Sequence, residues 1–279
     1  MKWDTVAIVG VGLIGGSLGL ALRQRRLARR VVGVGRRPSS LRRAREAGAV
    51  DATTTRLERG VGDADVVVVC TPVSRIADQV RQAAAHCRRD CLLTDAGSTK
   101  RLIVERLSDL GGDGPVFVGS HPLAGSEQSG VASARADLFQ GRVCVMTPTP
   151  RTPRGAQDRV RALWEAVGAE VVVMTPQAHD RALAFTSHLP HLVAVALAST
   201  LPEGYEKLVA TGMRDTTRIA SGDPELWVDI FEQNREKLLE GLKAFDKELA
   251  QLRRALESQD NKVLHRLLAQ AKQSRDRLG

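Results

Sequence analysis

Aromatic side chains are nearly missing from this chain of 279 residues: three Trp, one Tyr and five Phe make up 3% of it. Apolar residues still reach 43%, so a core of Val, Leu, Ala and Ile is expected, of a size to fill one large domain or two ordinary ones. Cysteine is sparse as well. Cys70, Cys87, Cys91 and Cys144 show no disulfide or zinc spacing, and Cys87-x-x-x-Cys91 lacks a matching second pair. That excludes a disulfide framework and a zinc module and points to a reduced, cytoplasmic setting. No long unbroken hydrophobic run is evident. The stretch from Val6 to Leu22 contains five glycines and has neither a basic leader nor a cleavage site. It reads as strand plus helix, so neither a signal peptide nor a membrane span is expected.

Acidic residues are outnumbered, 32 against 41 Lys and Arg, for a net charge of +9. Ten of the arginines fall between Arg23 and Arg45. Interleaved aromatics, a helix-turn-helix pattern and zinc knuckles are all lacking, so nucleic acid is not the expected partner. Small acidic substrates and cofactor phosphates fit the charge better.

What is present is organised around Gly10-Val11-Gly12-Leu13-Ile14-Gly15. It follows the apolar run Val6–Val9 and opens onto Ser17–Leu22, so the order is strand, tight turn, helix. The spacing predicts a dinucleotide site. Gly10 permits the turn, Gly12 lets the backbone reach a pyrophosphate, and Gly15 lets the helix lie close to the strand. The anion is expected on the free N–H groups of the helix N-terminus, including Leu13 and Ile14. A second strand, Val31–Val34, ends at Gly35-Arg36-Arg37-Pro38-Ser39. NAD enzymes usually place a carboxylate there for the ribose hydroxyls. Its absence, with Arg36 and Arg37 in its place, predicts NADP use with NAD tolerated; a merely basic loop in an arginine-rich chain is the alternative.

Further strands are expected at Asp65–Cys70, Leu92–Asp95, Val116–Gly119, Val143–Thr147 and Val171–Met174, with helices at Ser39–Ala47, Ser74–His86 and Gly155–Val167. Thr71-Pro72 lies at a strand C-terminus, where open α/β sheets bind ligands. Beyond about Thr175 the strands stop. Helices are expected over His188–Leu201, Pro224–Glu257 and Asp260–Ser274. The fold class is therefore α/β: a Rossmann-type doubly wound sheet (1–175) followed by an all-helical domain (176–279).

Six histidines occur, at 86, 121, 179, 188, 191 and 265. His121 is expected just past a strand end, where an imidazole can take a hydroxyl proton while hydride leaves the same carbon. His188 and His191 read equally as caps or core residues. An arginine at a cleft binds carboxylates bidentately, but Arg214 and Arg218 fit a helix-surface pairing too. Ser98 and Lys100 follow a strand end, with turn and cap chemistry as the plain alternative. Trp227 reads as core.

Taken in order, these segments resemble the prephenate/arogenate dehydrogenase family of tyrosine biosynthesis. The resemblance rests on Val9–Ser17, Cys70-Thr71-Pro72, Thr94–Lys100, Gly119–Gly125, Ser187–His191 and Arg214–Ala220, and it covers nearly the whole chain. The first two are common to many Rossmann dehydrogenases; the last four together are specific. The resemblance implies oxidative decarboxylation of prephenate or arogenate, a dianionic substrate, with hydride passing to NAD(P). It implies His121 as general base on the ring hydroxyl, with Ser98 hydrogen-bonding that hydroxyl and helping to orient His121. It further implies Arg218 on the ring carboxylate, His191 on the substrate side, and Ser126 and Glu127 near the substrate side chain. It also implies a homodimer built on the helical domain. Gly119-Ser120-His121-Pro122 stands where many members have Gly-Gly-His-Pro, and no regulatory or mutase domain is expected in this chain. A different Rossmann-plus-helical dehydrogenase, of the β-hydroxyacid or imine reductase kind, would usually rely on a helical-domain lysine or carry no histidine at this strand end. A non-catalytic nucleotide sensor would not need His121 with Arg218.

Overall fold

The computed structural model describes residues 2–125 and 128–278. Eight strands form one sheet in the order β3-β2-β1-β4-β5-β6-β7-β8. They are β1 (Trp3–Val9), β2 (Ala28–Val34), β3 (Ala52–Thr54), β4 (Val66–Val69), β5 (Leu92–Asp95), β6 (Val116–Pro122), β7 (Val143–Thr147) and β8 (Glu170–Val173). Strands β1 to β6 are mutually parallel; β7 runs antiparallel to β6, and β8 follows β7. The intervening helices are α1 (Leu13–Gln24), α2 (Pro38–Glu46), α3 (Leu57–Val61), α4 (Val73–Ala84), α5 (Arg101–Arg106) and α6 (Arg154–Ala166).

The four valines of β4 show why this sheet is buried on both faces. Val66 and Val68 join Ile8 of β1, Leu18 and Leu22 of α1 and Trp164 of α6 in one core. Val67 and Val69 join Ala7 and Val9, Ile76 and Val80 of α4 and Ile103 of α5 in the other. The period-two alternation thus feeds two apolar layers, as a β-branched run in a doubly wound sheet requires. Strand order reverses between β1 and β4, which opens a crevice at their C-terminal ends.

Strand β6 continues three residues beyond the expected Gly119. The antiparallel partner β7 extends the ladder, pairing His121 with Val145 and Pro122 with Cys144. His121 therefore sits inside a strand rather than past its end. The short β3 and α3 carry too few apolar positions to have been expected.

After β8 the chain is helical among the described residues. Thr175 caps α7 (Pro176–Leu183), its hydroxyl accepting from the N–H of Ala178 at 3.1 Å. One widened turn, Ala184–His188, joins it to α8 (Leu189–Ser199). Pro190 explains that turn: it has no N–H to donate, and its ring crowds the carbonyl one turn back, so the helix loosens there. The helix thus begins 12 residues before the expected start at His188. The helix over 176–199 contains an 18-residue window apolar enough to cross a membrane, with a mean hydropathy of 1.4, but His179, Asp180, His188 and His191 on the same helix are buried polar groups. Then follow α9 (Thr211–Thr217), a tight turn Arg218–Ser221, α10 (Pro224–Gln233), α11 (Arg235–Glu257) and α12 (Asn261–Asp276). The single run expected over Pro224–Glu257 is broken at Asn234, whose side chain turns inward to donate to the carbonyl of Asp180 at 2.7 Å.

By packing the chain forms two compact units, residues 1–234 and 235–279. The first unites the sheet with the helices up to α10. Asp229 of α10 accepts from both the N–H and the hydroxyl of Ser74 at the start of α4, at 3.1 and 3.0 Å. The second consists of α11 and α12, where Asp260 caps α12 by accepting from the N–H groups of Lys262 and Val263.

Candidate active site

The glycine turn lies at the crevice between β1 and β4, and each glycine has its own reason. Gly10 has φ +92°, and a Cβ there would stand 2.8 Å from the carbonyl oxygen of Cys70. At Gly15 a Cβ would collide with the carbonyl of Gly10 and with Ile8. Around Gly12 a Cβ would meet nothing within 4 Å. Packing therefore demands glycine at the first and third positions, while the second faces open space. Gly12 is also the cap of α1 and makes no side-chain cap bond, so the N–H groups of Leu13 and Ile14 have no partner within the helix. An open, uncapped helix start beside a residue without a side chain suits a pyrophosphate. Thr71 and Pro72 follow β4 on the other side of the crevice. Arg36 and Arg37 are exposed at the end of β2 and form no ion pair among the described residues.

Behind the crevice lies a buried polar network on β5 and β6. The Asp95 carboxylate accepts from the N–H groups of Gly97 at 2.9 Å and Ser120 at 3.0 Å, and from the ammonium of Lys100. The Ser120 hydroxyl lies 2.8 Å from that of Thr94 and accepts from the Trp164 indole N–H at 2.9 Å. Trp164 is thus a core residue whose one polar atom is satisfied.

His121 is buried, and its Nδ1 lies 2.8 Å from Nε2 of His179 on α7. Nδ1 of His179 in turn lies 2.7 Å from Oδ1 of Asp180. The Asp180 carboxylate is fixed from the other side, accepting from the N–H groups of Lys100 at 2.7 Å and Arg101 at 2.9 Å. Burial, then the positive charge its ring would face at His179 and Lys100, pushes the pKa of His121 well below the usual histidine range. Burial also lowers that of His179 against the pull of Asp180. Burial opposes a charge on Asp180, but the His179 bond and the two backbone donors hold its carboxyl below the usual range. At neutral pH the site holds two neutral imidazoles and one carboxylate.

Further along the same helix, His188 accepts at Nδ1 from the Asn234 amide at 3.1 Å, and burial pushes its pKa down to about 4. His191 stacks on Trp227 with ring centroids 3.5 Å apart, and its buried Nδ1 has no partner among the described residues. Trp227 is therefore a ring platform as well as core. Arg218 lies exposed on the turn after α9, a segment packed against α8. Arg214 donates to the carbonyl of Val209 at 3.3 Å.

The structure thus brings His121 together with α7, and His191 with Trp227. Ser98 is half-buried after β5 and has no hydrogen bond to His121 among the described residues; the imidazole's partner is His179. Ser126 and Glu127 lie outside the described residues. Sequence reasoning passed over His179, Asp180 and Asp95 as site residues. With six histidines in 279 residues, the vicinal His179-Asp180 pair was the available signal. Among the described residues no cluster of His, Cys, Asp and Glu is arranged to hold a metal ion.

Two family models match the chain: prephenate dehydrogenase, nucleotide-binding domain, over residues 18–173, and prephenate dehydrogenase, dimerization domain, over residues 175–270. Prephenate dehydrogenase of Bacillus subtilis is 33% identical over 99% of this chain and 76% of its own length. The crystal structure of prephenate dehydrogenase from Aquifex aeolicus, in complex with hydroxyphenyl propionate and NAD+, superposes with a TM-score of 0.92 at 33% identity, over 100% of this chain and 99% of that one. Synechocystis arogenate dehydrogenase superposes with a TM-score of 0.82 at 33% identity, over 99% and 100% of the two chains.

Proposed function

This chain belongs to the prephenate dehydrogenase family, and from that premise we infer that it oxidatively decarboxylates prephenate or arogenate, with hydride transfer to NAD(P), in tyrosine biosynthesis. The observation that carries the reading is His121: a buried imidazole, kept neutral, hydrogen-bonded through Nδ1 and so leaving Nε2 for a substrate proton. Nε2 takes the proton of the ring hydroxyl as the carbinol carbon gives up its hydrogen with the bonding pair. The nicotinamide, when bound, accepts that hydride. The bond to the ring carboxylate then breaks, CO₂ leaves, its electron pair aromatises the ring, and the proton returns to the phenolic oxygen.

The family resemblance assigns the other roles, and the chemistry of each side chain is consistent with them. Arg218 holds the ring carboxylate with its planar fork. His191, braced by Trp227, faces the substrate from α8, and Ser98 hydrogen-bonds the ring hydroxyl. The family resemblance alone assigns Ser126 and Glu127 to the substrate side chain. Gly10, Gly12, Leu13, Ile14 and Gly15 would hold the pyrophosphate, with Thr71 and Pro72 as further cofactor-binding residues. Arg36 and Arg37 meet a 2′-phosphate, so NADP is preferred and NAD tolerated. The division of labour puts nucleotide binding in 1–175 and substrate binding with dimerisation in 176–279. A homodimer is supported by apolar side chains left exposed on the helical region, among them Phe185, Val195, Leu208, Val228 and Leu239, and by the dimerization-domain match. Sedimentation as a monomer at micromolar concentration overturns it. The free cysteines fit a reducing, cytoplasmic setting, and the buried polar groups along 176–199 fit a helix inside a protein better than one in lipid.

Steady-state assays with prephenate and arogenate, each against NAD and NADP, test the reading. Turnover of one ring substrate is the expected result. No turnover of either, with cofactor binding intact, overturns it.

A further inference from the structure

We propose that His179, anchored by Asp180, is a positioning residue that fixes the proton-accepting tautomer of His121 and shares the charge that arrives there. The proposal rests on His121 as the general base.

The chain of bonds is anchored at its Asp180 end. Both oxygens of Asp180 accept backbone N–H groups, from Lys100 and from Arg101. These donors cannot titrate or rotate away, so the carboxylate is fixed and can only accept. The His179 nitrogen facing Oδ1 at 2.7 Å, Nδ1, must then carry the ring proton. A neutral His179 with its proton on Nδ1 has a bare lone pair on Nε2. That lone pair faces Nδ1 of His121 at 2.8 Å. Two lone pairs at that distance would repel, so His121 carries its proton on Nδ1 and donates it. The remaining lone pair of His121 is on Nε2, the atom needed for the substrate hydroxyl. One fixed carboxylate thus sets two tautomers in succession.

The same chain answers the charge. When Nε2 of His121 takes the substrate proton, the ring becomes an imidazolium in a buried site. Its Nδ1–H already points at a neutral acceptor whose other nitrogen donates to a carboxylate, so positive charge is drawn along the bonds toward Asp180. Other titratable groups face the pair. Lys100 with its partner Asp95 lies on the β5 side, His188 on the turn after α7, and Cys144 on β7. Of these, the Lys100–Asp95 pair is internally compensated. Burial holds both His188 and the Cys144 thiol uncharged at neutral pH. Asp180 is the carboxylate joined to His121 through hydrogen bonds.

Long-range ¹H–¹⁵N NMR of the wild-type enzyme, with His121 assigned by comparison with His121→Asn, reads the tautomer directly and independently of turnover. The expected spectrum has a protonated Nδ1 and a bare Nε2 on His121. A proton on Nε2 in the resting enzyme overturns the proposal. Kinetics supply the second arm. His179→Phe should lower kcat by roughly 10²–10⁴-fold, the range of a base left without its orienting partner, with substrate KM and cofactor affinity unchanged. The acid limb of its pH profile should move to lower pH, because an imidazolium without an acceptor is harder to form. His179→Gln, whose amide oxygen can accept from Nδ1–H, should recover part of kcat. Wild-type kcat in a folded, cofactor-binding His179→Phe enzyme overturns the proposal. If His121→Asn keeps full turnover, the base assignment itself falls, an outcome the tautomer measurement leaves separate.

Discussion

The ammonium of Lys100 lies against Oδ2 of Asp95, and neither side chain has any solvent exposure. The carboxylate also accepts two backbone N–H groups, one of them from Ser120, so the pair ties the end of β5 to β6 one residue before His121. A buried pair of this kind adds little beyond a well-packed apolar pair, yet breaking it leaves an uncompensated charge. Lys100→Met should therefore destabilise the protein by about 3–5 kcal/mol, read as a lower urea midpoint. The double variant Lys100→Met, Asp95→Leu should recover only part of that, since it also strips the acceptor from Gly97 and Ser120.

If His121 is the general base, His121→Asn removes the proton acceptor while keeping a polar side chain in β6. Turnover should fall about 10²–10⁴-fold with NAD(P) binding retained by fluorescence titration. Because burial holds the imidazole pKa well below the usual range, the wild-type base is already neutral at pH 7. Its kcat/KM should stay level through neutrality and decline only on acidification below the ordinary histidine range. A decline centred at or above pH 6.5 would assign the limb to another group.

The parts of this site that were legible in the sequence are those whose constraint is local. Gly10, Gly12 and Gly15 are specified by a turn six residues long, and the hydrophobic runs around them fix strand and helix. His121 was legible because its neighbours form an unusual motif. His179 and Asp180 were not: their partners lie 58 and 80 residues away, and a His-Asp pair on a helix of mixed character reads as solvated surface. The break at Asn234 was invisible for a similar reason. The apolar stripe continues through it, and what turns the backbone is a hydrogen bond to Asp180, 54 residues earlier. Strand β6 outran its expected end because the ladder is completed by β7, a tertiary partner that no local pattern announces.

Acid stability should carry the signature of His188. Its folded-state pKa is about 4, against an ordinary value of 6.5, because burial disfavours the charged ring. Below pH 6.5 the unfolded chain takes up this proton while the folded one does not, so stability is complete above that pH. It is lost as the pH falls toward 4, and the loss levels off below. The full excursion is on the order of 3 kcal/mol at about 1.4 kcal/mol per unit. His121, His179 and His191 are shifted in the same direction by burial and add to the slope. Urea midpoints measured across that window should fall steadily for the wild type and less steeply for His188→Gln. Equal slopes would show that this histidine is not the titrating group.

Arg218→Lys keeps the positive charge but gives up the planar fork. If Arg218 holds the ring carboxylate, substrate KM should rise by roughly tenfold or more, the cost of a charge-assisted bond at 1.4 kcal/mol per decade, while cofactor KM stays unchanged. A rise in both together would mean that the residue acts through folding instead.

The proposed NADP preference rests on the end of β2, where Gly35-Arg36-Arg37-Pro38 stands in place of a carboxylate. An acid at that point would accept from both ribose hydroxyls and repel a 2′-phosphate. Its absence removes the repulsion, and two exposed arginines without carboxylate partners among the described residues add attraction. Pro38 begins α2 directly after Arg37, and its fixed φ holds the backbone of this bend in place, so the guanidinium groups are presented from a defined position. Both effects favour NADP, although an arginine can also stack on adenine and serve either cofactor. The double change Arg36→Ala, Arg37→Ala separates the two roles. Loss of a charge-assisted phosphate contact should cost about 1.5–3 kcal/mol in kcat/KM with NADP and little with NAD. Equal losses with the two cofactors would assign the arginines to adenine stacking, and a wild-type enzyme that already prefers NAD would remove the 2′-phosphate from their role altogether.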